Sequence, residues 1–155
     1  MNAQTQRIRE ALSAHESLAP ARDRILGQVV VCEGCCCGQT DKGFKPVPCD
    51  WIKKQWKDEK LNKSVQLTIS GCLGPCDLAN VLCVISPEGT QWFGGLQEQR
   101  QYDLFLDWAK ASRDAGVLVE LHAELNRHRF ERFAVGCGSF AERTIPLIHK
   151  DLRDV

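Results

Sequence analysis

The hydrophobic pattern of the chain predicts four short strands. Residues 25–31 end in three consecutive valines, which is typical of a strand buried on both faces. Residues 65–69 alternate apolar and polar side chains, as in a strand with one buried face. An apolar run at 81–85 is followed by a Pro-Glu-Gly-Thr turn and a short strand at 91–93. The last two strands are therefore predicted to form an antiparallel hairpin.

The same pattern predicts helices between and around these strands. Residues 4–16 are mildly amphipathic, and a second helix begins near Pro48 and runs to residue 60. A longer helix follows Gly95 and ends at Gly116, while residues 117–129 show weaker helical spacing. The side chains expected to face the core are those of Ile52, Trp56, Leu104, Phe105, Trp108 and Ala109.

The order of these elements predicts a mixed α/β sheet. The first two strands flank a helix, and such a unit places them parallel to each other through a right-handed crossover. The hairpin then completes the sheet with antiparallel strands. Because parallel strands end at the same edge of a sheet, the loops that follow residues 31 and 69 are expected to meet there.

Composition and charge fit a single folded domain. Of the 155 residues, 43% are hydrophobic and 26% are charged, so the chain is expected to bury a core. Lysine plus arginine and aspartate plus glutamate each number 20, so no overall charge favours nucleic acid or an anionic membrane as a partner. Neither a secretory signal nor a stretch suited to membrane insertion is found in the sequence, and a cytoplasmic location is therefore expected.

Nine cysteines are the unusual part of the composition. Cytoplasmic thiols stay reduced and an odd number cannot pair completely within one chain, so disulfides are the weaker interpretation. Six of the nine fall in two groups, one of four cysteines between Cys32 and Cys37 and one of two, Cys72 and Cys76. Cys32 and Cys37 have Cys-x4-Cys spacing, and Cys72 and Cys76 have Cys-x3-Cys spacing. Together these pairs offer four thiolates from two loops, a full ligand set for a 2Fe-2S cluster or a structural zinc ion.

These motifs carry a resemblance to a known family. Val-Val-Val-Cys32, the spacing to Cys37 and the Ser-Gly-Cys-Leu-Gly-Pro-Cys segment that ends at Cys76 resemble the thioredoxin-like 2Fe-2S ferredoxins and the related 2Fe-2S subunit of NADH dehydrogenases. The similar region spans residues 25–110. The resemblance implies a thioredoxin-like α/β fold with a mixed four-stranded sheet, flanking helices and terminal extensions.

The resemblance also implies a ligand set for the cluster. In that family, two cysteines from the first loop bind one iron and two from the second loop bind the other. Carried over to this chain, the ligands are Cys32, Cys37, Cys72 and Cys76. Cys49 is an alternative to Cys37 as the second ligand, because some members of the family place that cysteine much farther along the first loop. Cys36 is the other alternative, since it and Cys35 compete locally with Cys37.

The function implied by the resemblance is that of a one-electron carrier rather than an enzyme. Its partner would be a protein redox partner, and the family includes ferredoxins associated with cobalamin biosynthesis. Two other functions stay open: a structural zinc module that binds another protein, and a thiol oxidoreductase that uses the Cys-x2-Cys spacing from Cys32 to Cys35. The sequence has no phosphate-binding glycine fingerprint, which argues against an autonomous NADH oxidase.

The remaining residues suggest a domain division. Residues 1–20 are predicted to be a helical extension, residues 21–115 the ferredoxin-like domain, and residues 116–155 an extension that could cover the sheet, form a homodimer contact or bind the partner. Cys83 lies in an apolar run and is expected in the core, whereas Cys137 has no assigned role. The glycines beside the cysteines are expected to allow close approach of the backbone to the sulfur atoms: Gly34, Gly38, Gly71 and Gly74.

Overall fold

The computed structural model of the protein describes residues 2–16, 18 and 25–133. The described chain contains three α-helices, five strands and several short 3-10 turns. In chain order these are α1 (Ala3–Ser13), β1 (Gly27–Cys32), α2 (Cys49–Asp58), β2 (Val65–Ser70), β3 (Leu82–Ser86), β4 (Gly89–Phe93), α3 (Gln99–Ala115) and β5 (Arg129–Phe130). None of the helices in this part of the chain has the length and apolar character that a membrane span requires.

All five strands form one mixed sheet in the order β2-β1-β3-β4-β5. Strand β1 runs parallel to β2, and β3 and β4 form the predicted antiparallel hairpin. Strand β3 also pairs antiparallel with β1. The predicted thioredoxin-like α/β fold is therefore confirmed. The sheet has five strands where the sequence predicted four, because the C-terminal extension adds β5 beside β4.

Strand β1 is the centre of the core. Its three valines are 1–8% exposed, as expected for a strand covered on both faces. Helices α2 and α3 contact each other and also β2. Strand β1, whose last residue is Cys32, is thus the most buried strand of the sheet.

Helix α2 is the crossover between the two parallel strands. Ile52 and Trp56 lie one turn apart and both face the core, as predicted, with 3% and 2% of their surface exposed. The Trp56 indole N–H donates a hydrogen bond of 2.9 Å to the carbonyl of Val65, at the start of β2. This bond ties the helix to the neighbouring strand and satisfies the one polar group of a buried tryptophan.

Helix α3 is bounded by clear capping signals. At its start, Glu98 and Gln101 form a capping box, and at its end Gly116 adopts a left-handed conformation with φ of 71°. The buried face predicted from the sequence is confirmed for all four residues, which are 0–5% exposed: Leu104, Phe105, Trp108 and Ala109.

Residues 117–129 do not form the regular helix that their spacing suggested. The segment leaves α3 as irregular chain and then forms a 3-10 helix at Ala123–His128. Helix α3 itself explains the irregular part, because the Trp108 indole donates to the carbonyl of Val119 and the Ser112 hydroxyl accepts from its N–H. These bonds occupy backbone groups that a continuing helix would use within itself.

Candidate metal centre

The two cysteine loops begin side by side at one edge of the sheet. Cys32 and Ser70 are register partners at the ends of the parallel strands β1 and β2. Immediately beyond them, the N–H of Glu33 donates to the carbonyl of Ser70 at 3.0 Å, which continues the pairing into the loops. The convergence predicted from the strand order is therefore present, and it follows from the parallel arrangement.

Three sulfur atoms from the two loops form a small triangle near the surface. The Sγ atoms of Cys72 and Cys76 are 3.5 Å apart, and the Sγ of Cys35 lies 3.7 Å from the former and 3.4 Å from the latter. Cys36 is close by, since its sulfur lies within 4.8 Å of those of Cys35 and Cys76. These thiols are partly or fully exposed to solvent.

Two further sulfurs lie beneath this triangle. Cys32 and Cys37 are 3% and 2% exposed. The backbone N–H of Val81 donates to the Sγ of Cys37 at 3.4 Å. Burial, followed by the interaction with Cys32, raises the pKa of the Cys37 thiol to about 12. A metal cation that binds the sulfur of such a buried thiol displaces its proton, which passes to solvent.

One pocket unites these residues. It is lined by six cysteine side chains from both loops, together with Gly74, Pro75 and Val81. Tetrahedral coordination with metal–sulfur bonds of about 2.3 Å places ligand sulfurs about 3.8 Å apart, close to the 3.4–3.7 Å separations of the outer triangle. The donor set therefore fits thiolate-bound metal, and it is larger than the four sulfurs such a centre needs. The six cysteines are Cys32, Cys35, Cys36, Cys37, Cys72 and Cys76.

Not every cysteine reaches this pocket. Cys49 is the first residue of α2 and is 5% exposed; burial, followed by the nearby charge of Glu33, raises the pKa of its thiol to about 12. It lines no part of the cysteine pocket. Cys83 is 3% exposed within β3, which confirms the prediction of a core residue. Cys137 lies outside the described residues.

The side chain of Asn80 links the first cysteine loop to neighbouring segments of the chain by hydrogen bonds. Its side chain is fully buried, and its Oδ1 accepts a hydrogen bond of 2.7 Å from the N–H of Gly38, the residue after Cys37. Its amide group donates to the carbonyls of Lys45 and Leu96 at 2.8 and 3.1 Å. One side chain thus joins three chain segments, and no local pattern in the sequence indicates this role.

The outer side of the first loop is held by two polar side chains. Gln39 donates from its amide to the carbonyl of Gly34 at 2.9 Å. Lys42 donates to the carbonyl of Cys35, and its amine lies 4.0 Å from the Sγ of Cys36. The lysine charge therefore lies beside the outer part of the first cysteine loop.

Gly34 marks the closest approach of the two loops. A Cβ atom at this position would lie 2.9 Å from the backbone nitrogen of Cys72 and 3.0 Å from its Cα. Both of these are backbone atoms, so the second loop would have to move away. The close approach found at Gly34 is therefore between the backbones of the two loops, while the expected approach of backbone to sulfur stays a prediction.

Gly34→Ala is expected to separate the loops and lower both stability and metal content. We expect a loss of roughly 1–3 kcal/mol in the free energy of unfolding, measured by denaturant titration, as for other overpacked sites. Gly71→Ala is the matched control, because a Cβ there would meet no atom within 4 Å. Equal stability and metal content in the two variants would contradict this account of Gly34.

Comparison with known proteins gives a limited result. No protein-family model matches the sequence, and no curated protein matches it. Among solved structures, the chain is similar to the thioredoxin-like [2Fe-2S] ferredoxin from Aquifex aeolicus, with 16% identity and a TM-score of 0.41, over 70% of this chain and 100% of that one. The functional assignment therefore rests on the geometry of the cysteine pocket.

Proposed function

We propose that the protein is a one-electron carrier that holds a 2Fe-2S cluster in the cysteine pocket. The observation that carries this proposal is that cysteines from both loops line one pocket. We assign the buried Cys32 and Cys37 as an inner pair of ligands, and Cys72 and Cys76, whose sulfurs are 3.5 Å apart, as an outer pair. Two pairs of thiolates are the ligand set that a two-iron cluster requires.

The two pairs of cysteines differ in burial, so one side of the site faces the core and the other faces solvent. The inner pair is enclosed by the core, and the outer pair lies at the surface with Cys72 exposed. A cluster bound there would supply one reversible electron transfer. Exposed ligands allow a docked protein to come near, and we propose that a protein redox partner exchanges the electron on that side. A partner in cobalamin biosynthesis is the more specific hypothesis that the family resemblance raises.

Backbone and side-chain groups of the pocket favour negative charge on the sulfurs. The N–H of Val81 points at the Sγ of Cys37, and hydrogen bonds to ligand sulfurs raise the reduction potential of iron–sulfur centres. The amine of Lys42 adds a positive charge 4.0 Å from the Sγ of Cys36 at the exposed side. These groups belong to the loops and to the chain just before β3, so the fold itself prepares the site for thiolate ligands.

A structural zinc site is the second candidate, and one observation favours it. Cys35, Cys72 and Cys76 form a triangle of the size found around a single tetrahedral ion, and Cys36 lies near enough to supply the fourth sulfur. In that case the inner pair would be core residues that bind no metal. The two candidates thus use different first-loop cysteines.

Anaerobic purification followed by iron, acid-labile sulfide and zinc analysis tests the proposal. We expect about two irons and two sulfides per chain, visible colour, and a reduced S = 1/2 EPR signal after dithionite treatment. A colourless protein with about one zinc ion, which takes up no iron and sulfide on reconstitution, would reject the electron carrier and favour the zinc module. A metal-free protein that exchanges dithiols would instead favour the oxidoreductase.

A further inference from the structure

The C-terminal extension brings a positive charge to the second cysteine loop. After β5, the chain places the guanidinium of Arg132 against Gly74, which lies midway between Cys72 and Cys76. A Cβ at Gly74 would lie only 2.6 Å from Nη2 of Arg132, so the arginine occupies the space that a side chain would otherwise fill. Gly74 also has a φ of 113°, a conformation that other residues rarely adopt.

Aromatic rings hold this arginine in place. The guanidinium carbon lies 5.9 Å from the ring centre of Trp92 and 5.4 Å from that of Phe133, within the range of cation–π contacts. Trp92 and Phe133 also meet edge to face at 6.4 Å. The guanidinium thus lies against these rings beside the second cysteine loop, and Arg132 is half-buried.

The charge of Arg132 is not neutralised by a neighbouring carboxylate in the described part of the chain. Arg100 and Arg113, in contrast, each form an ion pair, at 3.3 Å with Glu124 and at 3.1 Å with Glu59. A charge that is paired with an opposite one has little effect beyond its partner. An unpaired and partly buried charge acts on its surroundings more strongly, because water screens it less.

We propose that Arg132 sets the reduction potential of the centre, an inference that rests on the proposed function. In the reduction, the centre gains one electron from a one-electron donor, which is oxidised, and no bond is made or broken. The reduced centre is more negative by one charge, so a cation beside the second loop stabilises it relative to the oxidised centre. Arg132 is thus a positioning charge that acts through space on the cysteine pair nearest the surface.

Arg132→Gln is expected to make reduction less favourable while the centre remains assembled. We expect roughly a tenfold decrease in the equilibrium constant for reduction, which for a one-electron couple corresponds to a potential more negative by about 59 mV. Arg132→Lys keeps the charge, and its reduction potential is expected to lie close to that of the wild-type protein. Arg132→Met retains apolar packing on Trp92 and provides a second neutral variant should the glutamine disturb the fold.

The measurement is a dithionite titration followed by EPR, with iron and sulfide analysis of each variant. Arg129→Gln is the matched control, since it removes the same charge from an exposed side chain of β5. A neutral variant that keeps its iron and sulfide but has the potential of the Arg129→Gln protein would overturn the role of Arg132. A wild-type protein without iron and sulfide would instead reject the proposed function on which the inference rests.

Discussion

Cys37→Ser is expected to abolish assembly of the cluster, whereas Cys35→Ser is expected to leave it in place. Cys37 is buried beside Cys32 and accepts the N–H of Val81, so its loss removes one of the two inner ligands. A serine hydroxyl is a much poorer ligand for iron than a thiolate. The sulfur of Cys35 lies 3.4 Å from that of Cys76, but Cys35 is not one of the four ligands of the proposed cluster.

Iron and sulfide content, together with the visible spectrum, distinguishes these variants. We expect about two irons per chain in the Cys35→Ser protein and little iron in the Cys37→Ser protein. Cys83→Ala is the control for loss of a cysteine as such, because Cys83 is buried in β3 away from the pocket. The opposite result, with iron lost from the Cys35 variant and retained in the Cys37 variant, would reassign the first-loop ligand to Cys35.

Asn80→Ala is expected to destabilise the fold more than any other single polar substitution described here. The change leaves the N–H of Gly38 and the carbonyl of Lys45 without their partner, whereas the carbonyl of Leu96 keeps the hydroxyl of Tyr102 at 3.2 Å. Both groups are only partly buried, and fully buried polar groups without partners cost about 1–3 kcal/mol each, so the expected loss is about 2 kcal/mol in the free energy of unfolding.

Denaturant unfolding of the two asparagine variants Asn80→Ala and Asn62→Ala tests this expectation. Asn62 is an exposed residue whose side chain accepts one hydrogen bond, of 2.9 Å, from the N–H of Leu67. Its replacement is expected to cost about 1 kcal/mol or less. If the Asn80 variant lost no more stability than the Asn62 variant, the buried network would contribute little to holding the first cysteine loop.

The elements with strong periodicity could be predicted from the sequence. Three consecutive valines indicated the buried strand β1, and the spacing of Ile52 and Trp56 indicated the inner face of α2, because burial on one side of an element repeats at a fixed interval. The proximity of the two cysteine loops could also be predicted, because parallel strands end at the same edge of a sheet.

Other features depend on contacts that no local pattern reveals. Strand β5 has only two residues and exists because Trp92 and Phe93 offer it an edge for pairing. Asn80 joins segments that are far apart in sequence, so its role appears only when they are assembled. The positions of Cys35, Cys36 and Cys37 depend on the turn between them, because three adjacent residues of one type give no periodicity to interpret.

The pairing of β5 with β4 has a consequence for how the chain can be divided. Without β5, strand β4 would present unpaired N–H and carbonyl groups, and such open edges recruit strands from other molecules. Within the described residues, β2 is then the other strand at a margin of the sheet. A fragment cut after residue 115, where the sequence suggests a boundary, would lose this cover and with it a safeguard against aggregation.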